Sequence, residues 1–228
     1  GRASGRETAG RVAAGAVARK ILEARGISIL AYTVRTAGLQ CKSFVPEFIE
    51  ENPLRVCDPD VVPEMLSRIE KIKEQEDSVG GIVECRIRGV PIGLGEPVFD
   101  KLDGELAHAM LSVGAIKGIE FGAGFAAADM RGSEHNDEMG ETGFLTNNAG
   151  GILGGITTGE EIVFRVAVKP TSSIARQQRT IDRGGSETTI RTEGRHDACI
   201  CPRIVPVVEA MACIVLEDHR KRYAALLA

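Results

Sequence analysis

Hydrophobic positions along this chain follow two different periods, and together they predict helices mixed with strands. Four stretches carry apolar residues at helical spacing on one face and polar or charged residues on the other. The predicted helices run from a capping box at Ser4–Glu7 to a stop at Gly26, from near Pro59 through Glu76, over 102–113, and over 208–216. In the second of them, Val62, Met65, Leu66, Ile69 and Ile72 are predicted to face inward.

Alternation of period two predicts the strands. It is strict over 162–168, and over 83–88 it leaves Glu84, Arg86 and Arg88 on one predicted wet face. Less regular strands are predicted at 27–34, 119–121 and 188–191. Residues 126–158 show little periodicity, and loops of that length inside compact domains are usually functional or mobile. With no clear linker or repeat, the pattern predicts one α+β domain over 1–228.

Composition narrows the class of protein. The 228 residues are 43% hydrophobic and 26% charged, which is typical of a globular protein with a sizeable core. No apolar run has membrane-spanning length and no charged leader precedes an apolar block, so we expect no membrane partner and a cytoplasmic location. The net charge of −4, the 4% aromatic content and the lack of Trp argue against nucleic acid as a partner.

Six cysteines are scattered through the chain: Cys41, Cys57, Cys85, Cys199, Cys201 and Cys213. The closest pair, Cys199 and Cys201, forms a C-x-C without a second pair or a nearby histidine at zinc-ligand spacing. We interpret all six as reduced thiols, and no metal site is predicted.

The segment 146–173 is the strongest candidate for chemistry. A glycine-dense loop, Gly150–Gly155, precedes the 162–168 strand, which ends in Lys169, Pro170, Thr171, Ser172 and Ser173. Glycines let a backbone approach a ligand closely, and the lysine and hydroxyls are donors suited to a phosphate or another anion. This interpretation is a ligand cradle; the alternative is a long glycine loop followed by an ordinary turn.

Other polar clusters carry weaker signals. Arg2–Arg6 places two guanidiniums and a hydroxyl at a helix N-terminus. This pattern is equally compatible with an anion-binding site and with a plain helix cap whose arginines are solvated. Asp129–Glu138 is either a lid over a charged substrate or a solvated loop. Gly194–Asp197 combines an arginine, an imidazole and a carboxylate, which as a lone tetrapeptide is weak support for acid–base work.

Two further histidines are not expected to be catalytic, and the common nucleotide-binding motifs do not occur in the sequence. His108 is predicted to lie on the surface, and His219 is predicted to be a packed histidine rather than a catalyst. Neither a P-loop nor a dinucleotide-binding glycine motif occurs.

Several blocks resemble, in order and spacing, those of the chorismate synthase family. They are GRASGRETAGRVAAGAVARKIL, RGVPIGLGEPVFDKLDGELAHAM, IKGIEFGAGF, DMRGSEHNDE, TNNAGGILGGITTGEEI, VKPTSSI, GRHDACI and VPVVEAMACIVLEDH. The resemblance implies helices sandwiched between antiparallel sheets. It also implies an anti 1,4-elimination of phosphate from 5-enolpyruvylshikimate 3-phosphate, which gives chorismate with reduced FMN and no net redox change. A cytoplasmic homotetramer associated with NADP is implied as well.

The resemblance also implies site residues. Flavin contacts are expected from Arg2, Ala3, Ser4, Gly114, Ala115, Gly154, Lys169, Pro170, Thr171, Ser172, Ser173 and Arg195. Arg6 and Arg195 are expected to face anionic groups of the substrate. Asp197 is the expected proton-handling group at flavin N5, with His196 as a less certain partner.

The chain departs from the family in lacking an N-terminal portion. The missing blocks include a Gly-Glu-Ser-His-Gly motif and a second histidine block, so the chain resembles the C-terminal two-thirds of the enzyme, with a fold incomplete at its N-terminus. Two interpretations therefore remain open. One is a chorismate synthase seen in part, and the other is an inactive or split-gene flavin- or phosphate-binding module that needs a partner.

Overall fold

The computed structural model describes residues 4–194 and 196–227. The predictions for Arg2, Ala3 and Arg195 fall outside these described residues. The helices are α1 Thr8–Glu23, α2 Val62–Glu74, α3 Leu102–Leu111, α4 Gly132–His135 and α5 Cys201–Leu226. Short 3-10 turns lie at Gly5–Glu7, Pro46–Glu51, Pro59–Val61 and Gly124–Asp129.

The longer strands form one sheet, and the shorter ones form separate pairs. The strands are β1 Ser28–Thr36, β2 Leu39–Gln40, β3 Gly81–Arg88, β4 Ile116–Phe121, β5 Met139–Gly140, β6 Gly143–Phe144, β7 Ile152–Leu153, β8 Ile156–Thr157, β9 Ile162–Val168, β10 Gln178–Ile181 and β11 Glu187–Ile190. The five-stranded sheet has the order β2-β1-β3-β9-β4, and β5-β6, β7-β8 and β10-β11 are antiparallel pairs. Helices therefore combine with antiparallel pairing, as the α+β prediction requires.

The described chain divides into two compact units. Unit 1 contains the residues through Ala31, Val83–Ala167, and those from Ile204 onward; unit 2 contains Tyr32–Ile82 and Val168–Arg203. Within the described residues, no helix is long and apolar enough to cross a membrane.

Close helix packing organises unit 1. A Cβ added to Gly15 of α1 would lie only 2.4 Å from the Cβ of Ala210 on α5, so the two helices approach each other across a residue without a side chain. Ala18 and Leu22 continue the buried stripe of α1, and His219 of α5 is 2% exposed. The prediction that His219 is a packed histidine is confirmed.

The start of α1 differs from the predicted capping box. Ser4 Oγ accepts a hydrogen bond from the Arg6 N–H at 3.4 Å, while the Glu7 carboxylate pairs with Arg11 at 2.8 Å. Glu7 is thereby drawn away from the cap, and the helix begins with a 3-10 turn.

Two predicted orientations were wrong. Leu66 on α2 is 39% exposed, whereas Val62 and Met65 are buried against Leu54 and Val56. Glu84 is 6% exposed instead of lying on a wet strand face, because cationic side chains surround its carboxylate. Arg86 and Arg165 contact it at 3.0 and 3.2 Å.

The last helix contains a proline. Pro206 lies one turn inside α5 and has no N–H to donate to the carbonyl of Pro202. In unit 2, Arg55 Nη1 donates to that carbonyl at 3.2 Å. A guanidinium thus replaces the missing backbone donor.

Candidate functional site

The segment Lys169–Ser173 follows β9, lies in unit 2 and begins where Gly80 packs closely against the end of the strand. In β9 every second residue, from Ile162 to Val168, is buried, and the strand ends at Val168. A Cβ on Gly80 would lie 2.2 Å from the Val168 carbonyl oxygen, so only glycine fits beside the strand end. Ser78 Oγ then donates to the Thr171 carbonyl at 2.7 Å.

The hydroxyl groups of this segment are not all hydrogen-bonded within the described residues. Thr171 Oγ1 is buried and has no hydrogen-bond partner among the described residues. Ser172 is exposed and Ser173 is half-buried. Since buried polar groups are normally paired, the unpaired Thr171 hydroxyl is compatible with a polar ligand group supplied from outside the chain.

The second predicted motif also lies in unit 2. Gly194 has φ 150°, and a Cβ there would lie 2.8 Å from His196 Nε2, so the imidazole occupies the space that a side chain would need. Asp197 forms a two-point ion pair with Arg203, at 2.8 Å to Nε and 2.9 Å to Nη2. Such a fork fixes the plane of a carboxylate as well as its position.

A cavity of about 260 Å³ in unit 2 adjoins both motifs. It is lined by Lys73 and Glu76–Ser78, by Ser173–Ala175, by Gly194, and by His196–Ala198. The structure therefore brings the end of the Lys169–Ser173 segment and the Gly194–Asp197 segment to one place.

A thiol next to this motif is unusually acidic. The hydrogen bond with Cys201 lowers the pKa of Cys199 to about 6, against an opposing effect of burial and with help from Thr36. Thr36 Oγ1 lies 3.4 Å from Cys199 Sγ. The pKa of Cys201 is raised by the same hydrogen bond and by burial.

The glycine-dense loop lies in unit 1, and its glycines have different roles. Gly154 and Gly155 have φ of 61° and 84° and join β7 to β8, as a two-residue hairpin turn with two left-handed positions requires. Cβ atoms on Gly150 and Gly151 would lie 2.4 Å and 2.7 Å from neighbouring backbone atoms. Most glycines of this loop are therefore required for the fold itself. Gly154 differs, because a Cβ added there would have no atom within 4 Å, and it faces open space.

The polar segment Asp129–Glu138 is tied to the glycine loop rather than lying loose in solvent. Asp137 Oδ1 accepts from Thr146 Oγ1 at 2.7 Å and from the Asn148 N–H at 2.6 Å, and Oδ2 accepts from the Ala149 N–H at 2.9 Å. Burial alone would raise the pKa of Asp137, but these hydrogen bonds lower it overall.

The remaining described candidates belong to unit 1. Arg11 on α1 donates to Ser112 Oγ at 2.6 Å and to the Ser112 carbonyl at 3.3 Å. This connects α1 to the turn that contains Gly114 and Ala115, and Ser4 and Arg6 lie in the cap and the 3-10 turn directly before α1. Ala115 has φ 78°, a left-handed conformation that costs a non-glycine residue about 1–2 kcal/mol.

Sequence reasoning missed the residues that hold these segments. They are Ser78, Arg203 and Arg11. Ser78 and Arg11 contact partners 93 and 101 positions away, and such distant pairs produce no local motif. Arg203 lies six positions after Asp197, and a pair of opposite charges at that spacing is no specific signal.

Comparisons with known proteins extend over nearly the whole chain. The family model for chorismate synthase matches residues 1–220. The chain is 54% identical over 218 residues to the chorismate synthase of Maridesulfovibrio salexigens, a match that covers 96% of this chain and 62% of that relative. It is 52% identical over 227 residues to the chorismate synthase of Chloroflexus aggregans, covering 97% and 62%.

A solved structure gives the same result. A crystal structure of chorismate synthase matches with a TM-score of 0.77 and 36% sequence identity, over 95% of this chain and 63% of that chain. The α+β fold class is therefore confirmed as a chorismate synthase-like fold. The chain belongs to the chorismate synthase family, whose members are lyases, and it spans about 62% of the length of the first curated relatives that it matches.

Proposed function

We propose that this chain carries the flavin-binding and proton-handling part of a chorismate synthase. The proposed reaction is the anti 1,4-elimination of phosphate from 5-enolpyruvylshikimate 3-phosphate, in which the allylic C–O bond breaks, a ring hydrogen leaves as a proton, and a new C=C bond gives chorismate. The observation that carries the proposal is the 54% identity to a chorismate synthase over 96% of the chain. The position of Ser173, Gly194, His196 and Asp197 around one cavity supports it.

Reduced FMN fits the residues of this chain as the cofactor. The Thr171 hydroxyl, which has no partner among the described residues, is a feature of unit 2 that a polar ligand group would use. In unit 2, Lys169, Pro170, Thr171, Ser172 and Ser173 are proposed as flavin-binding residues. Gly154 of unit 1 faces open space, and Ser4, Gly114, Ala115 and Gly154 are the candidates proposed in that unit. Arg2, Ala3 and Arg195 are proposed for the same role. When bound, reduced flavin supplies electron density to the substrate as phosphate departs, without net redox change.

The proton would be handled by Asp197. Its carboxylate oxygens keep further lone pairs besides those that accept from Arg203, so it can accept a proton at flavin N5 while its orientation stays fixed. His196 is exposed beside it and is the proposed accessory group. Arg6 and Arg195 would bind anionic groups of the substrate, where cations stabilise the negative charge of the departing phosphate.

The finer biological setting belongs to the same proposal. We infer a cytoplasmic homotetramer that functions in aromatic amino acid biosynthesis, with NADP as an associated nucleotide.

The test is a hybrid protein in which this chain replaces the matching 62% of the M. salexigens relative. Under anaerobic conditions with pre-reduced FMN, we expect phosphate and chorismate to appear in equal amounts. Flavin binding without phosphate release would favour the alternative of a binding module without elimination chemistry. Absence of both would refute the proposed function.

Asp197→Asn in the hybrid protein tests the proton-handling role. Because general acid–base groups contribute about 10²–10⁴-fold, the single-turnover elimination rate should fall by about that factor, while flavin and substrate affinities change far less. If Asp197 only braces an arginine, the variant should instead lose affinity and keep its rate at saturating substrate. Arg203→Lys, which keeps the charge but not the fork, serves as the control for mispositioning.

A further inference from the structure

The segment Glu76–Val79, which we call the bracket, connects α2 to β3 in unit 2. None of its residues was predicted to be functional. Its side chains and backbone nevertheless contact the Lys169–Ser173 segment, the residues that follow Gly194–Asp197, and the stretch of chain between these two segments.

On one side, the bracket holds the Lys169–Ser173 segment. Ser78 Oγ donates to the Thr171 carbonyl at 2.7 Å in a partly buried contact. Thr171 is also the residue whose own hydroxyl has no partner among the described residues. The bracket therefore fixes the backbone of Thr171 and leaves its side chain uncommitted.

On the other side, the bracket contacts Ala198 and Cys199, the two residues that follow the Gly194–Asp197 segment. The Val79 N–H donates to the Ala198 carbonyl at 2.8 Å, and Val79 pairs with Cys199 in a parallel bridge. Ala198 directly follows Asp197, so the residue that the bracket binds is the neighbour in sequence of the proposed proton-handling residue. Adjacent bracket residues, Ser78 and Val79, thus set the positions of both segments.

The acidic residues of the bracket hold the ends of the β10-β11 hairpin. The Glu76 carboxylate pairs with Arg191, and the Asp77 carboxylate lies 3.3 Å from Arg176 Nη1. The Arg176 N–H also donates to the Glu76 carbonyl at 3.1 Å. Both ion pairs are exposed to solvent, so they contribute mainly to geometry rather than to stability.

The bracket begins with the C-terminal cap of α2. Glu76 has φ 60°, the left-handed conformation that is common at the end of a helix. Its N–H donates to the Lys73 carbonyl at 2.9 Å, and the Asp77 N–H donates to the Ile72 carbonyl at 3.1 Å. The cap therefore fixes the position at which the bracket leaves α2.

We propose that Ser78 is a positioning residue, which fixes the Thr171 backbone relative to Asp197 and so presents the Lys169–Ser173 segment to the cofactor. This role rests on the proposed function for its ligand, but the positioning itself is a property of the chain. Ser78 does not touch the reacting atoms and is not a catalytic residue.

The first test needs no ligand. In the 228-residue chain, Ser78→Ala should lower the NMR order parameters of the Thr171 and Ser172 backbone amides, while Ser78→Thr, which keeps a hydroxyl, should restore them. Ser67→Ala on α2, an exposed serine, is the matched control and should leave these order parameters unchanged. Unchanged order parameters in Ser78→Ala would overturn the proposal, whatever reaction the protein performs.

The second test measures flavin binding by the hybrid protein. Loss of one partly buried hydrogen bond is expected to weaken affinity for reduced FMN about fivefold, equivalent to about 1 kcal/mol, with recovery in Ser78→Thr. A residue that serves only stability would lower the free energy of unfolding but leave the affinity of the folded protein unchanged, and that result would overturn the proposal. If the unsubstituted hybrid binds no flavin, the proposed function fails, and the NMR order parameters alone decide the role of Ser78.

Discussion

His219 gives a direct test of how burial controls stability in unit 1. The residue is 2% exposed on α5, and neither ring nitrogen has a hydrogen-bond partner among the described residues. A buried polar group without a partner costs about 1–3 kcal/mol. His219→Leu removes the polar atoms, and we expect it to raise the free energy of unfolding at pH 8 by about 1 kcal/mol.

The same residue should make stability depend on pH. Burial lowers the pKa of His219, and Arg222 lowers it further, whereas Asp218, Glu105 and Glu96 act in the opposite direction without reversing the shift. Below about pH 6.5 the unfolded state therefore binds a proton that the folded state does not. Stability contributed by the neutral imidazole is present above that pH and is lost as the pH falls toward the folded pKa, by up to about 1.4 kcal/mol per pH unit.

Urea unfolding of the 228-residue chain between pH 5 and 8 measures both effects. His219→Gln keeps a polar group but cannot take up a proton, so it should lose the pH-dependent contribution without the gain at pH 8. His108→Gln, on the exposed face of α3, is the matched control and should change the unfolding free energy by less than about 0.5 kcal/mol. The reasoning is refuted if His219→Leu and the unchanged chain show the same pH dependence.

Three further substitutions have expected outcomes. Gly15→Ala should lower the unfolding free energy by about 1–3 kcal/mol, because its Cβ would overlap Ala210, whereas Gly10→Ala, with open space, should raise it by up to about 1 kcal/mol in the same urea titration. Ser172→Ala combined with Ser173→Ala in the hybrid protein should weaken reduced-FMN binding by about 1 kcal/mol per hydroxyl in a flavin titration, and equal affinities would remove these residues from the site. Asp137→Asn should cost about 1.5–3 kcal/mol at pH 7, because charge-assisted hydrogen bonds are lost. The pKa of this carboxyl is lowered in the folded protein, so the cost should begin to shrink as the pH falls below about 3.9, the usual pKa of Asp, and should disappear below the folded pKa. A difference that grows as the pH falls below that value would contradict this reasoning.

Sequence periodicity predicted the elements whose burial is regular. β9 was predicted with the bounds Ile162–Val168 that the structure has, since every second residue is buried. β10 was missed, because QRTI has no apolar alternation and its pairing with β11 depends on a turn. In that turn Asp182 Oδ1 accepts from the N–H groups of Gly184 and Ser186 at 2.8 and 2.9 Å.

The candidate site was predictable only in part for a related reason. Lys169–Ser173 and Gly194–Asp197 stand out as clusters of polar residue types. Of these clusters, Ser173, Gly194, His196 and Asp197 line the cavity in unit 2. Ser78 could not be predicted, because its partner is a backbone carbonyl that any residue at position 171 would supply. The ligand-cradle interpretation covered the whole glycine loop, with an ordinary loop as its alternative, and the family resemblance implied only Gly154 as a flavin contact. In the structure, Gly150 and Gly151 lie so close to neighbouring backbone atoms that a side chain would not fit.

The carbonyl that Pro206 leaves without a helical donor connects two distant positions of the sequence. Arg55 occupies that carbonyl at 3.2 Å, so the side chain at position 55 substitutes for an N–H that proline lacks at position 206. A relative with another residue at position 206 would supply its own donor and would be free to lose the arginine. A relative that keeps the proline would still need the arginine as the donor to this carbonyl. Across the family, residue choice at these two positions should therefore be statistically correlated.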